Sequence, residues 1–196
     1  MKAVMLSVPE ALLEERRKRG ADRWDEMWEG VLHMPPPPSW DHQETVTDLG
    51  GFLSSECKRR SLGSVVTQAG LYDEDQLDKD YRVPDVVFVS KSKRHLIQER
   101  GAVGAADAVI EVRSPDDETY KKVPFFARLG VRQVIVIDAK TRKTEVFLLA
   151  GDGYVAVAPD REGWLVAEVL GLRLRWVSKR RLRVEAIDNP KFAIDL

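Results

Sequence analysis

Cysteine is nearly absent: Cys57 is the only one in 196 residues. That excludes an intrachain disulfide and fits a reducing compartment, so the cytoplasm is the expected location. No apolar run is long enough to cross a bilayer. The N-terminal stretch MKAVMLSVPEALLEERRKRG holds an apolar patch too short for a signal segment, and acids follow it. Charge of one sign is missing too. The formal net charge is -1, so no global field draws the chain to polyanions, and nucleic-acid contact would need local basic patches. Three histidines, His33, His42 and His95, show no ligand spacing. There is no Cys/His zinc cluster, no glycine-rich phosphate loop and no serine nucleophile elbow. The acidic stretch from Asp73 to Asp80 lacks the glycine of a calcium loop. With no internal repeat and no second boundary, the length fits one domain, 1–196, with 1–28 as an N-terminal helical arm.

What is present begins with a short helix from Pro9 to Arg19, ended by Gly20. Trp24 and Trp28 are four apart and would share a helical face used for packing or an interface. Gly30 to Met34 reads as a strand stopped by Pro35 to Pro38, a stiff connector. Ser39 or Asp41 caps the next helix, and Glu44 completes a capping box if Asp41 is the cap. Val46, Leu49, Phe52 and Leu53 follow helical spacing. Lys58, Arg59 and Arg60 then suit a solvated helix end. Cys57 reads as a small core residue. Strands are expected over Ser64 to Ala69, Val86 to Val89, Lys143 to Leu149, Tyr154 to Ala158, Trp164 to Val169 and Leu172 to Trp176. A hairpin turn falls at Gly151 to Gly153. Lys91, Lys93, Arg94 and His95 form a basic loop, and the tail after Lys179 is basic and then mixed.

The stretch from Asp107 to Asp138 carries the chemistry. Its apolar run, Ala108 to Ile110, delivers Glu111 to a strand end. Ser114-Pro115-Asp116-Asp117 breaks the strand, and a helical segment with Lys121 and Lys122 follows. Gly130 stops that helix, and a second apolar run, Val134 to Ile137, ends on Asp138. A charge at the tip of a buried strand is costly unless it is paired or binds a metal. Asp85 stands in the same situation before Val86 to Val89. If the two strands are neighbours the carboxylates converge, and they repel unless a cation joins them or one protonates. A hard divalent ion such as Mg²⁺ is one solution, and strand-end acids capped or paired with lysine are the other.

These residues resemble the bacterial Uma-two family of endonucleases, within the PD-(D/E)XK nuclease superfamily. The resemblance runs from about Trp28 to Phe147. It includes Glu29-Gly30, the proline-rich link, His42-Gln43, Pro84-Asp85, Glu111-Val112-Arg113-Ser114-Pro115, Lys122, Phe126, Ala127, Gly130-Val131 and the strand ending at Asp138. It implies an α/β (α+β) fold, a restriction-endonuclease-like mixed β-sheet flanked by helices. It also implies a Mg²⁺-dependent endonuclease acting on DNA, with Mn²⁺ as a substitute. Asp85 and Glu111 would hold the metal, and Lys122 would complete the catalytic set. The superfamily lysine usually lies two positions after the second acid. Here that position is Arg113, and Lys122 on the following helix stands in its place. Arg113 remains a second candidate for the positive charge, since guanidinium binds phosphate well but cannot act as a general base. With Lys121, Lys91 and Lys93 it forms the expected nucleic-acid contacts. His42 approaches the site from the first long helix. The alternative is a catalytically inactive nuclease-fold module that binds nucleic acid or a protein partner. The tryptophan face and the outer strands leave room for a homodimer.

Overall fold

The computed structural model describes residues 3–115 and 117–196. Asp116, one residue of the expected strand break, lies outside them. Strand β1 (Ala3–Met5) and helix α1 (Glu10–Arg19) come first, then β2 (Glu26–Trp28) and β3 (Val31–Met34). Helix α2 (Trp40–Arg60) leads into β4 (Gly63–Thr67), β5 (Gly70–Tyr72), β6 (Tyr81–Arg82) and β7 (Val86–Ser90). A 3₁₀ turn (Lys91–Leu96), β8 (Ile97–Gln98) and β9 (Gly101–Val103) precede β10 (Ala108–Arg113), α3 (Thr119–Leu129) and β11 (Gln133–Asp138). Then come β12 (Thr144–Ala150), β13 (Gly153–Ala156), β14 (Leu165–Ala167), β15 (Leu172–Ser178), β16 (Arg181–Ala186) and β17 (Ala193–Asp195).

Three sheets form among the described residues. The central one runs β13-β12-β11-β10-β7-β4. Its β10 and β11 pair in parallel, with Glu111 opposite Val136 and Arg113 opposite Asp138. Parallel neighbours need a crossover, and α3 supplies it. Both strands are covered on two faces, which is why their apolar runs are continuous instead of alternating. One face, through Ile110, Ile135 and Ile137, packs on Leu49 and Leu53 of α2 and on the C-terminal sheet β14-β15-β16-β17. The other, through Val109, Val134 and Val136, packs on Phe125 and Phe126 of α3. A third sheet, β1-β3-β2-β6-β5-β9-β8, adds Leu71 and Ala102 to that second layer. Gly130 ends α3 with φ 79, a left-handed cap that a side chain would strain.

Several expectations change. Residues 3–28 hold the expected helix, α1, but are not a separate arm: β1 and β2 on either side of it both pair with β3 and so join a sheet. Trp28 sits on β2, not on a helical face with Trp24; Glu26 and Met27 before it are both buried, on opposite faces of the strand. Ser39 is the cap of α2, its Oγ accepting from the His42 amide, so Asp41 and Glu44 form no capping box. The Lys58-Arg59-Arg60 end is not simply solvated. Arg59 bonds Glu56 at 2.8 Å and Asp188 at 3.0 Å, which ties α2 to the chain beyond β16. The mixed tail forms β16 and β17. Cys57 is buried, and burial pushes its thiol up to about 11.

Candidate active site

Backbone register brings the two acids together. Val86 pairs with Ile110, so Asp85 and Glu111 stand on adjacent strands, one pair further on. Alternation places Asp85 with Val87, and Glu111 with Val109, on the face that α3 covers. Asp85 Oδ2 accepts from the Val112 amide at 2.7 Å, a bond that anchors it to the end of β10. Its Oδ1 accepts no hydrogen bond from a described residue. Helix α2 brings His42 Nε2 to 3.3 Å from Asp85 Oδ2. From α3, Lys122 Nζ lies 3.3 and 3.2 Å from the two Glu111 oxygens.

A fourth residue, Glu26, was not anticipated. Its Oε1 lies 2.8 Å from Lys122 Nζ and accepts from the Val83 amide at 2.9 Å. Its Oε2 accepts from Trp28 Nε1 at 2.8 Å. The alternation of β2 turns Glu26 inward, a signal hidden while Trp24 and Trp28 were spaced as a helix. Glu26 and Glu111 are almost fully buried, and the Lys122 side chain is 15 % exposed.

The charge balance is uneven. Three carboxylates, Glu26, Asp85 and Glu111, face one lysine. Burial pushes the Glu111 carboxyl well above the usual range; Lys122 opposes this, while Asp85 and Glu26 add to it. Lys122 is held above its ordinary value: burial works against its charge, but Glu111, Glu26 and Asp85 outweigh that. A cleft of about 440 Å³ opens over these groups, walled by Trp24, His33, the four prolines and Ser114-Pro115. Two buried nitrogens on it, Trp24 Nε1 and His42 Nδ1, have no hydrogen-bond partner among the described residues.

A Mg²⁺ ion fits this donor set. The groups are carboxylate oxygens with surplus negative charge, and one Asp85 oxygen is uncommitted. No three Asp, Glu, His or Cys among the described residues close around a single metal position. Mg²⁺ does not require that, because it keeps several waters and binds through one or two carboxylates plus phosphate.

The remaining expected contacts divide. Arg113 is half-buried beside the site, 3.4 Å from Asp138. Lys121 points to solvent and pairs with Glu118 at 3.1 Å. Lys91 and Lys93 are not brought to the site: they follow the far end of β7 from Asp85. Lys93 donates to the Ala105 carbonyl at 2.8 Å and lies 3.6 Å from Asp107. A larger hollow of about 510 Å³ adjoins the cleft at Gln68 and Val83; two of its three arginines are committed, Arg100 to Asp78 and Arg17 to Glu10, and the third, Arg23, lies over the Trp24 ring.

No curated protein matches the chain. Among solved structures, a "putative nuclease belonging to DUF820" from Anabaena variabilis ATCC 29413 superposes with a TM-score of 0.56 at 20% identity. The match covers 69% of this chain and 78% of that one. The fold is thus of the restriction-endonuclease-like type, mixed α+β. The family described as "Uma2: Putative restriction endonuclease" matches residues 12–185, and the chain belongs to it.

Proposed function

We propose that this protein is a Mg²⁺-dependent endonuclease that hydrolyses phosphodiester bonds of DNA at the Glu26–Asp85–Glu111–Lys122 cluster. The observation that carries the reading is the surplus of buried carboxylate over lysine at the floor of an open cleft. Such a surplus is unfavourable in a resting protein and is relieved by a divalent cation. Asp85 and Glu111 would hold that cation, with the Val112 carbonyl at the same strand end. When bound, it supplies Lewis acidity to a phosphate oxygen and acidity to water.

The chain's own residues do the rest. The Val112 amide and His42 hold Asp85 through one oxygen and leave the other without a partner among the described residues, on a side chain that lines the cleft. Glu26 and Glu111 keep Lys122 protonated and point it at the same floor. Its ammonium then steadies charge that develops on the phosphorus oxygens as the water O–P bond forms and the leaving P–O bond breaks, the water's proton passing to solvent and the leaving oxygen taking one from solvent. The pinned ammonium needs little rearrangement for this, which is the advantage of a fixed donor over solvent. Arg113, one alternation further along the same face, is placed for a neighbouring phosphate.

Cleavage of plasmid and of single-stranded DNA, with Mg²⁺ and with chelator, tests the reading. Asp85→Ala and Glu111→Ala should each lower the Mg²⁺-dependent rate by about 10³-fold, the loss of several kcal/mol of transition-state stabilisation. Undiminished cleavage by either variant sinks the site assignment.

A further inference from the structure

A second hollow, about 390 Å³, lies on the other side of the first turn of α3. Glu111, Thr119 and Lys122 face the acid cleft, whereas Arg113 and Tyr120 face this hollow, so the two share a wall. Its rim carries two aromatic rings open to solvent, Tyr120 at 47% and Trp176 at 45% exposure. Neither ring is loose. Trp176 Nε1 donates to the Thr141 carbonyl at 2.8 Å, and the Tyr120 hydroxyl bonds the Glu145 carboxylate. The Arg113 guanidinium lies 5.6 Å from the Tyr120 ring centre.

One carboxylate organises the surface. Asp138 Oδ1 accepts from the Lys140 amide at 3.1 Å, from the Thr141 amide at 2.8 Å and from the Thr141 hydroxyl at 2.9 Å. Its Oδ2 lies 3.4 Å from Arg113. It therefore fixes both Arg113 and the turn that anchors Trp176. The Arg180 amide also donates to Thr141, at 3.4 Å, so the β15–β16 turn lies on the same spot. This gathers Lys140, Lys143, Lys179 and Arg180 in one place. The nearby acids are committed: Asp138 to the turn, Glu145 to Tyr120, Asp41 to Arg180. None of the three lysines forms an ion pair with a described residue.

Exposed rings held in place, beside lysines that form no ion pair and two arginines each paired with one acid, suit an unpaired nucleic-acid strand. Rings stack any base and cations follow the phosphates, whereas a duplex keeps its bases stacked internally. We propose that this surface is a subsite for a single strand of DNA, with one base stacked on Trp176 and the flanking phosphate on Arg113 and Lys143. The proposal rests on the nuclease reading above and names the form of substrate that reaches the acids. Arg113 is two residues beyond Glu111 on one face of β10, roughly 6–7 Å along the strand. A strand seated here is separated from the acid cleft by the first turn of α3 alone.

The test is fluorescence anisotropy of a labelled oligothymidylate titrated with the protein in EDTA, where cleavage cannot intervene. The oligonucleotide should bind more tightly than a duplex of equal length. Trp176→Ala should weaken it about tenfold or more, as expected for one stacked base, and Trp176→Phe should recover most of the loss. Lys143→Glu, at an exposed side chain away from the ring, should weaken binding and flatten its salt dependence. Thermal melting of each variant checks that it is folded. Unchanged affinity in folded Trp176→Ala, a Trp176→Phe loss equal to that of alanine, or a preference for duplex overturns the subsite. Unchanged affinity in Lys143→Glu also counts against it. The Asp85→Ala, Glu111→Ala double variant should keep the Trp176-dependent binding. Loss of cleavage there with binding intact separates the subsite from the catalytic reading.

Discussion

Lys122→Met should cost about 3–5 kcal/mol of folding stability, the usual penalty for removing one partner of a buried ion pair. Methionine fills nearly the same space, so packing loss contributes little. The charge is what matters. Lys122 alone among the described residues lies within ion-pair distance of both Glu26 and Glu111, at 2.8 and 3.2 Å. Without it two buried carboxylates face each other beside Asp85, and either they take up protons or the site opens. Urea denaturation at neutral pH in chelator measures the loss, and a change below about 1 kcal/mol contradicts the argument. Adding Glu26→Gln should recover part of it, because one of the stranded charges is then gone. The coupling in that double-mutant cycle should fall within the range of about 0.5–3 kcal/mol seen for residues in one network.

Glu111→Gln should do the opposite to stability while abolishing metal-dependent cleavage. The expected gain in chelator at neutral pH is about 1–2 kcal/mol, the common size for relieving an unfavourable arrangement at a functional site. The sign follows from proton binding. The Glu111 carboxyl is raised well above the usual range by burial, with Asp85 and Glu26 adding to the shift. Between the ordinary carboxylate range and that raised value the folded chain binds more protons than the unfolded one. Stability from this group is therefore full below the ordinary range and falls as pH rises through the raised value. Lys122 is also raised, so its contribution is full below the ordinary lysine range and is lost only in strong alkali. The metal-free protein should thus lose stability from about pH 5 upward, with a shallower slope in Glu111→Gln. Mg²⁺ should restore stability to the parent near neutral pH in proportion to its binding, and should leave Glu111→Gln nearly unmoved. A parent whose stability rises steadily with pH in chelator would refute the account.

Much of the central sheet was legible because its signals are local. The runs at Val86–Val89, Ala108–Ile110 and Val134–Ile137 are each apolar enough to be buried strands, and Gly130 marks the end of α3. Their adjacency, and hence the meeting of Asp85 with Glu111, rests on pairing that no single segment encodes. The N-terminal region misled because Trp24 and Trp28 satisfy a helical spacing, while strands of three residues are too short to display alternation. That error concealed Glu26, whose role is set by a lysine far along the chain. The basic residues showed the opposite failure. Lys91 and Lys93 looked suited to phosphate by composition, but β7 carries them away from the acids. Trp176 reads as the next inward residue after Leu172 and Leu174, but the alternation breaks there: the ring is exposed and arrives beside Arg113 through a turn held by Asp138.

The Glu26–Lys122 pair has a kinetic side. Its members are 96 residues apart, on a sheet and a helix that belong to different parts of the chain. Contacts of such long separation form after the local ones, because the intervening loop must close first. A partly folded chain that has built β10, α3 and β11 already owns Glu111 and Lys122 but lacks the residue that steadies the lysine. On this topology the cluster is completed only when the N-terminal strands dock.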